Sequence, residues 1–364
     1  MLTELLNRPY APQCPNLFPD ISERQVWGTL SCSERWLRAG SEVLHNQNAL
    51  PELPLSLWLD FTKTGNRNRY EAPYFVRRRT LCALTMAELI SGTGSCLPAV
   101  ADACWTICEE SAWQVPAHNL YVRDTPQLSL PDQKRSIVDL FGAETGALIA
   151  TVYGLLGKKL DAYAPGLRTR LKREVEQRIL QPYCTEHFWW MGGKGEQCNN
   201  WTPWCTQNVL IAAAQLVPAA DLPTYIEKAA ASLDCFLDEY GEDGCCSEGA
   251  QYYRHAALTL SLIHILVFKV EGLGDPPDGN TEHFAVQLEG SGEHPHQRQQ
   301  GDDRDEEQDQ INADLHKAVL FGLFHRKVSF RYIKSLNFFS ALNWNRVMEP
   351  TISSRMMAAA EALP

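Results

Sequence analysis

Apolar residues recur at helical spacing through most of the first 260 positions. Leu167, Leu171, Val175 and Ile179 form an every-fourth apolar row, while Arg168, Arg170, Lys172, Arg173, Glu174 and Glu176 occupy the opposite side. That pattern predicts an amphipathic helix whose basic run is a solvated face. The same reasoning predicts helices over residues 23–45, 74–90, 96–112, 137–160, 167–180, 203–216, 222–240 and 247 to about 260, with no strand-like alternation competing. Short Gly, Pro and Asp-rich loops between them suit antiparallel helix pairs. The expected fold class is therefore all-α: an irregular Pro-rich arm over 1–23, a helical domain over 24–260, and a poorly structured tail over 261–364.

The densest chemistry lies in EHFWWMGGKGEQCNNWTPWCTQ, residues 186–207, which holds four tryptophans, two adjacent asparagines and a glycine-rich turn. Thr202 followed by Pro203 predicts a helix start, because Thr caps exposed N–H groups and Pro at the first helical position forfeits no hydrogen bond. From there Cys205, Val209, Ala212 and Leu216 form a buried stripe and leave Asn199 and Asn200 at the helix mouth. The helix dipole makes that mouth electropositive, an Asn amide could donate to a carboxylate there, and tryptophans such as Trp201 and Trp204 suit a sugar ring.

Near residue 260 the composition shifts. All twelve cysteines and nine of the ten tryptophans precede it, whereas seven of the ten histidines lie at or after His255. Residues 271–310 carry too little apolar content to build a core, which predicts a linker. The hexapeptide LSLIHI at 260–265 matches the translation of the end sequence of a widely used sequencing transposon, so the chain after about Leu260 is expected to be chimeric. The alternative is an ordinary apolar helix end joined to a charged linker.

Charge and cysteine usage narrow the partners. At 364 residues the chain is long enough for a large helical core. A net charge of −11 argues against nucleic acid or an anionic membrane as a bulk electrostatic partner, although a local basic pocket could still take an acidic ligand. The first residues lack the basic flank and apolar run of a signal peptide, and no stretch reads as a bilayer span, so the expected location is cytoplasmic. The irregularly spaced cysteines suit reduced buried thiols and offer no zinc-site spacing, so neither metal nor cofactor is expected.

Three segments in order carry a family likeness: TGNRNRYEAPYFVRRRTLCALTMAELI over 64–90, the Asn199-Asn200-Trp201 mouth, and DGCCSEGAQYY over 243–253. Together they resemble the helical domain of the heparinase II/III-like polysaccharide lyases, over roughly residues 20–260. The resemblance implies an incomplete (α/α) toroid whose concave face holds an acidic polysaccharide or oligosaccharide, normally followed by a β-sandwich domain that is not recognisable here. It further implies β-elimination on a uronate. Asn200 matches the residue that neutralises the carboxylate, and Tyr252 the proton donor to the leaving oxygen.

Spacing points the same way for Tyr252, since Glu248, Tyr252 and His255 share a polar face at i, i+4, i+7 while Tyr253 follows the buried one. His187 and His255 are the nearby candidates for a base, and Trp201 stands where relatives commonly have His. Arg78, within the run Arg77 to Arg79, and Tyr70 complete the expected substrate-binding set with Trp201, Trp204 and Glu248. Two alternatives stay open: a glycoside hydrolase pairing Glu248 with Asp243 or Glu186, and a non-catalytic glycan-binding protein.

Overall fold

The computed structural model describes residues 18–30 and 33–239, together with Tyr252, Ala256 and Thr259. All of these belong to one compact unit. Residues 1–17 of the expected arm, the tail, the chimeric junction, and Asp243, Glu248, Tyr253 and His255 lie outside the described residues.

The protein is helical, with no strand among the described residues. We number the helices α1 (Arg24–Gly28), α2 (Ser33–His45), α3 (Leu55–Thr64), α4 (Asn68–Ser91), α5 (Leu97–Cys108), α6 (Leu140–Tyr163), α7 (Leu167–Val175), α8 (Gln181–Thr185), α9 (Trp201–Leu216) and α10 (Leu222–Glu239). Two of them organise the rest. α4 packs against α1, α2, α3, α5 and α6, and α6 packs against α4, α5, α7 and α9. Both are buried on nearly every side, which is why neither shows a simple amphipathic stripe. α6 is long and apolar enough to cross a membrane, but most of it is enclosed by the other helices, as a core helix is.

Close approach of α6 to the segment after α7 depends on Gly146, where an added Cβ would fall 2.7 Å from Ile179 Cγ1. Beneath α4 a buried ion cluster fastens α4 to the end of α5. Glu110 accepts from Arg78 at 2.5 and 2.7 Å and from Arg77 at 3.0 Å, with all three side chains at most 10% exposed.

Several boundaries differ from those the pattern predicts. The predicted first helix is interrupted between α1 and α2. α3 was not predicted: its short apolar run sits among prolines, yet Trp58 anchors it by donating to the Ser129 carbonyl at 3.1 Å. α4 begins at Asn68, ahead of Pro73; the carbonyl that Pro73 leaves without an N–H belongs to Arg69, an exposed residue. After α7 the chain runs through a π turn, Glu176–Leu180, and on to Thr185, because the π turn places Pro182 in the first turn of the next segment, where it displaces no hydrogen bond.

Candidate functional site

The mouth of α9 is built differently from the expectation. Thr202 is not the cap: it lies inside the helix, and its hydroxyl donates to the Trp190 carbonyl at 2.6 Å. Asn199 does the capping, with Oδ1 accepting from Trp201 N at 3.0 Å. Asn200 occupies the N-cap position in helical conformation, makes no side-chain capping bond, and is 3% exposed. The predicted stripe of Cys205, Val209, Ala212 and Leu216 is buried throughout.

Trp201, partly exposed, heads a row of rings. Its centroid is 5.0 Å from that of Trp189 and 4.6 Å from that of His118, and His118 in turn stacks on Phe141 at 5.4 Å and 15°. Two guanidiniums stand at the ends. Arg123 lies 4.6 Å over the Trp189 ring, and Arg67 reaches His118 Nε2 at 3.2 Å while paired with Glu71 at 2.8 Å.

His118 belongs to a short 3₁₀ turn, Pro116–His118, and its Nδ1 is 2.7 Å from Oδ2 of Asp139. Asp139 is completely buried and caps α6 with its other oxygen, accepting from Gly142 N at 2.6 Å. These partners determine the state of the imidazole. A carboxylate only accepts, so Nδ1 carries the proton; a guanidinium only donates, so Nε2 presents its lone pair. The result is the Nδ1–H tautomer with Nε2 facing Arg67.

The other expected site residues are dispersed. Trp204 is buried and donates to Glu144 Oε1 at 2.7 Å. Arg78 is buried, with its donors directed to Glu110, Thr145 Oγ1 and the Tyr74 carbonyl. Tyr70 is 4% exposed, edge-on to Trp58 and tilted against Tyr74, and burial raises its phenol far above the ordinary range, so it keeps its proton. His187 Nε2 is 2.7 Å from Glu196 Oε2, and Glu186 is held by Arg135 at 2.9 Å. Tyr252 is helical and 44% exposed, and Ala256 packs with Cys198 and Phe236 beside the residues leading into Asn200.

Sequence reasoning missed His118 and Asp139. They are 21 positions apart, and the only local hints were a Pro before the turn and an Asp before an apolar helix. Among the described residues no three His, Cys, Asp or Glu side chains gather as a metal site would require. Compared with protein-family models and with curated proteins, the chain has no match in either.

Proposed function

We propose that the protein is a polysaccharide lyase acting by β-elimination on a uronate-containing polysaccharide or oligosaccharide, on an incomplete (α/α) toroid of the heparinase II/III-like kind, in the cytoplasm. The observation that carries this reading is the mouth of α9, where Asn199 caps the helix, Asn200 stands at the N-cap position, and Trp201 joins Asn200 to the row of rings. A C5 proton beside a uronate carboxylate becomes acidic only when that carboxylate is neutralised, and an amide donor in a water-poor cleft does so where enolate charge develops. Half-buried Trp189 and Trp201 offer ring faces to a sugar, and Arg67 and Arg123 suit its anionic groups. Tyr252 is exposed and Ala256, four positions on, packs with Cys198, two residues before Asn200, which supports the phenol as acid to the leaving O4. The eight described cysteines carry no disulfide, in keeping with a reducing compartment.

The test is incubation with alginate, hyaluronan, heparan sulfate and polygalacturonate. New ultraviolet absorbance from an unsaturated uronate is expected. Reducing ends without that absorbance would mark a hydrolase, and retention on the polymer without cleavage a glycan-binding protein; either result overturns the reading.

A further inference from the structure

We infer that His118 is the proton acceptor of the elimination, that Asp139 fixes its tautomer, and that Arg67 covers its Nε2 until an acidic sugar draws the guanidinium away. This rests on the lyase reading above and supplies the base that reading lacks.

The geometry meets the requirements of a base one by one. Nε2 is the unprotonated nitrogen, because Nδ1 donates to Asp139 at 2.7 Å and Arg67 can only donate. Asp139 cannot turn away, because its second oxygen is held by Gly142 N at the start of α6. The imidazole is clamped between Phe141 and Trp201, and Trp201 directly follows Asn200 in the chain, so base and amide donor share one mouth. By contrast the Nε2 of His187 is engaged by Glu196, a carboxylate, which can only accept.

Arg67 explains how the base stays covered at rest. Its side chain is 44% exposed and paired with Glu71 across one helical turn, and so exposed a partner is weakly held. A uronate carboxylate competes readily for such a group. When it does, its charge is partly neutralised and Nε2 is uncovered in the same act. The C5–H bond then breaks with its proton passing to Nε2, the electron pair forms the C4=C5 double bond, and the C4–O4 bond breaks with O4 taking a proton from the Tyr252 phenol. The products are an unsaturated uronate and a shortened saccharide. The imidazolium, facing Asp139, and the phenolate return to their starting states by proton exchange with water.

The experiment has two arms. In the first, wild type, His118→Gln, His118→Ala and Asp139→Asn are assayed on the polymer that wild type cleaves, with polymer binding measured beside turnover. The expected result is a fall in kcat of at least about 100-fold for His118→Gln with binding within a few-fold. Imidazole in the buffer should partly restore His118→Ala, and Asp139→Asn should lower kcat with KM little changed. Wild-type cleavage with His118→Gln retaining near-normal turnover would overturn the base assignment alone; absence of elimination by wild type would overturn the lyase reading and this step with it.

The second arm needs no turnover and no substitution at His118. Diethyl pyrocarbonate should modify His118, followed by mass spectrometry, several-fold faster in Arg67→Ala than in wild type. Equal rates would overturn the cover.

Discussion

Asn199 and Asn200 are adjacent and chemically identical, so replacing each in turn isolates position from chemistry. Asn199→Ala removes the acceptor for Trp201 N at the first turn of α9. A lost Asn cap costs about 1 kcal/mol. For a helical domain of this size that lowers Tm by about 2–4 °C. Turnover per folded molecule should stay within about twofold, because the Asn199 side chain serves the backbone. Asn200→Ala removes a 3% exposed amide that caps nothing. Its stability cost should also be about 1 kcal/mol, that of one hydrogen bond. Its catalytic cost is on another scale: a donor facing developing enolate charge contributes roughly 3 kcal/mol to the barrier, which is a fall in kcat of about 150-fold. The assay pairs thermal melts with initial rates of unsaturated-uronate formation, normalised to folded protein. If Asn200→Ala melts early yet keeps wild-type turnover per folded molecule, or if the two variants lose activity equally, the assignment of Asn200 to the chemistry is refuted.

Glu110→Ala should destabilise by about 3–5 kcal/mol, since it leaves Arg77 and Arg78 buried without their carboxylate; a urea midpoint close to wild type would contradict the view that this cluster fastens α4. Gly146→Ala, which in an exposed helix would stabilise, should here cost about 1–3 kcal/mol through collision with Ile179, and a raised melting temperature would show that α6 and the neighbouring chain have room to part. Tyr252→Phe should abolish elimination while Tyr253→Phe does not, because loss of one core hydroxyl costs about 1 kcal/mol but a proton donor cannot act without its O–H; the reverse outcome would place the acid one residue further on.

Where one face of a helix is buried, the period of 3.6 was enough to find it. Leu167, Leu171, Val175 and Ile179 are all buried; Cys205, Val209, Ala212 and Leu216 are buried too, but in α9 most other positions are enclosed with them. Where a helix is enclosed on every side, as in the first half of α6, the pattern marks its existence but not what it touches. Boundaries failed where tertiary contacts override local signals: Pro73 and Pro182 resemble breakers yet sit within helical runs, and Thr202 has the chemistry of a cap but gives its hydroxyl to Trp190. The helix mouth with Asn199 and Asn200 was legible. Arg78 and Tyr70 were expected in a cleft from the likeness of the arginine run to that of the lyase family, whereas here Glu110 and the neighbouring rings hold them in the core. His118 was illegible because its meaning depends on Asp139 and Trp201, which only folding brings to it.

Asp139 lets natural variation or directed evolution move in one direction only. One oxygen starts one of the two longest helices and the other orients the imidazole. A Ser or Thr at 139 preserves the helix start and gives up the imidazole, so a lineage relaxed from catalysis could drift to either without losing its fold. A selection for thermal tolerance alone would accept that drift silently, and a library meant to keep the activity should hold positions 118, 139 and 142 fixed together, since an added Cβ at Gly142 would fall 2.9 Å from Asp139 Oδ1.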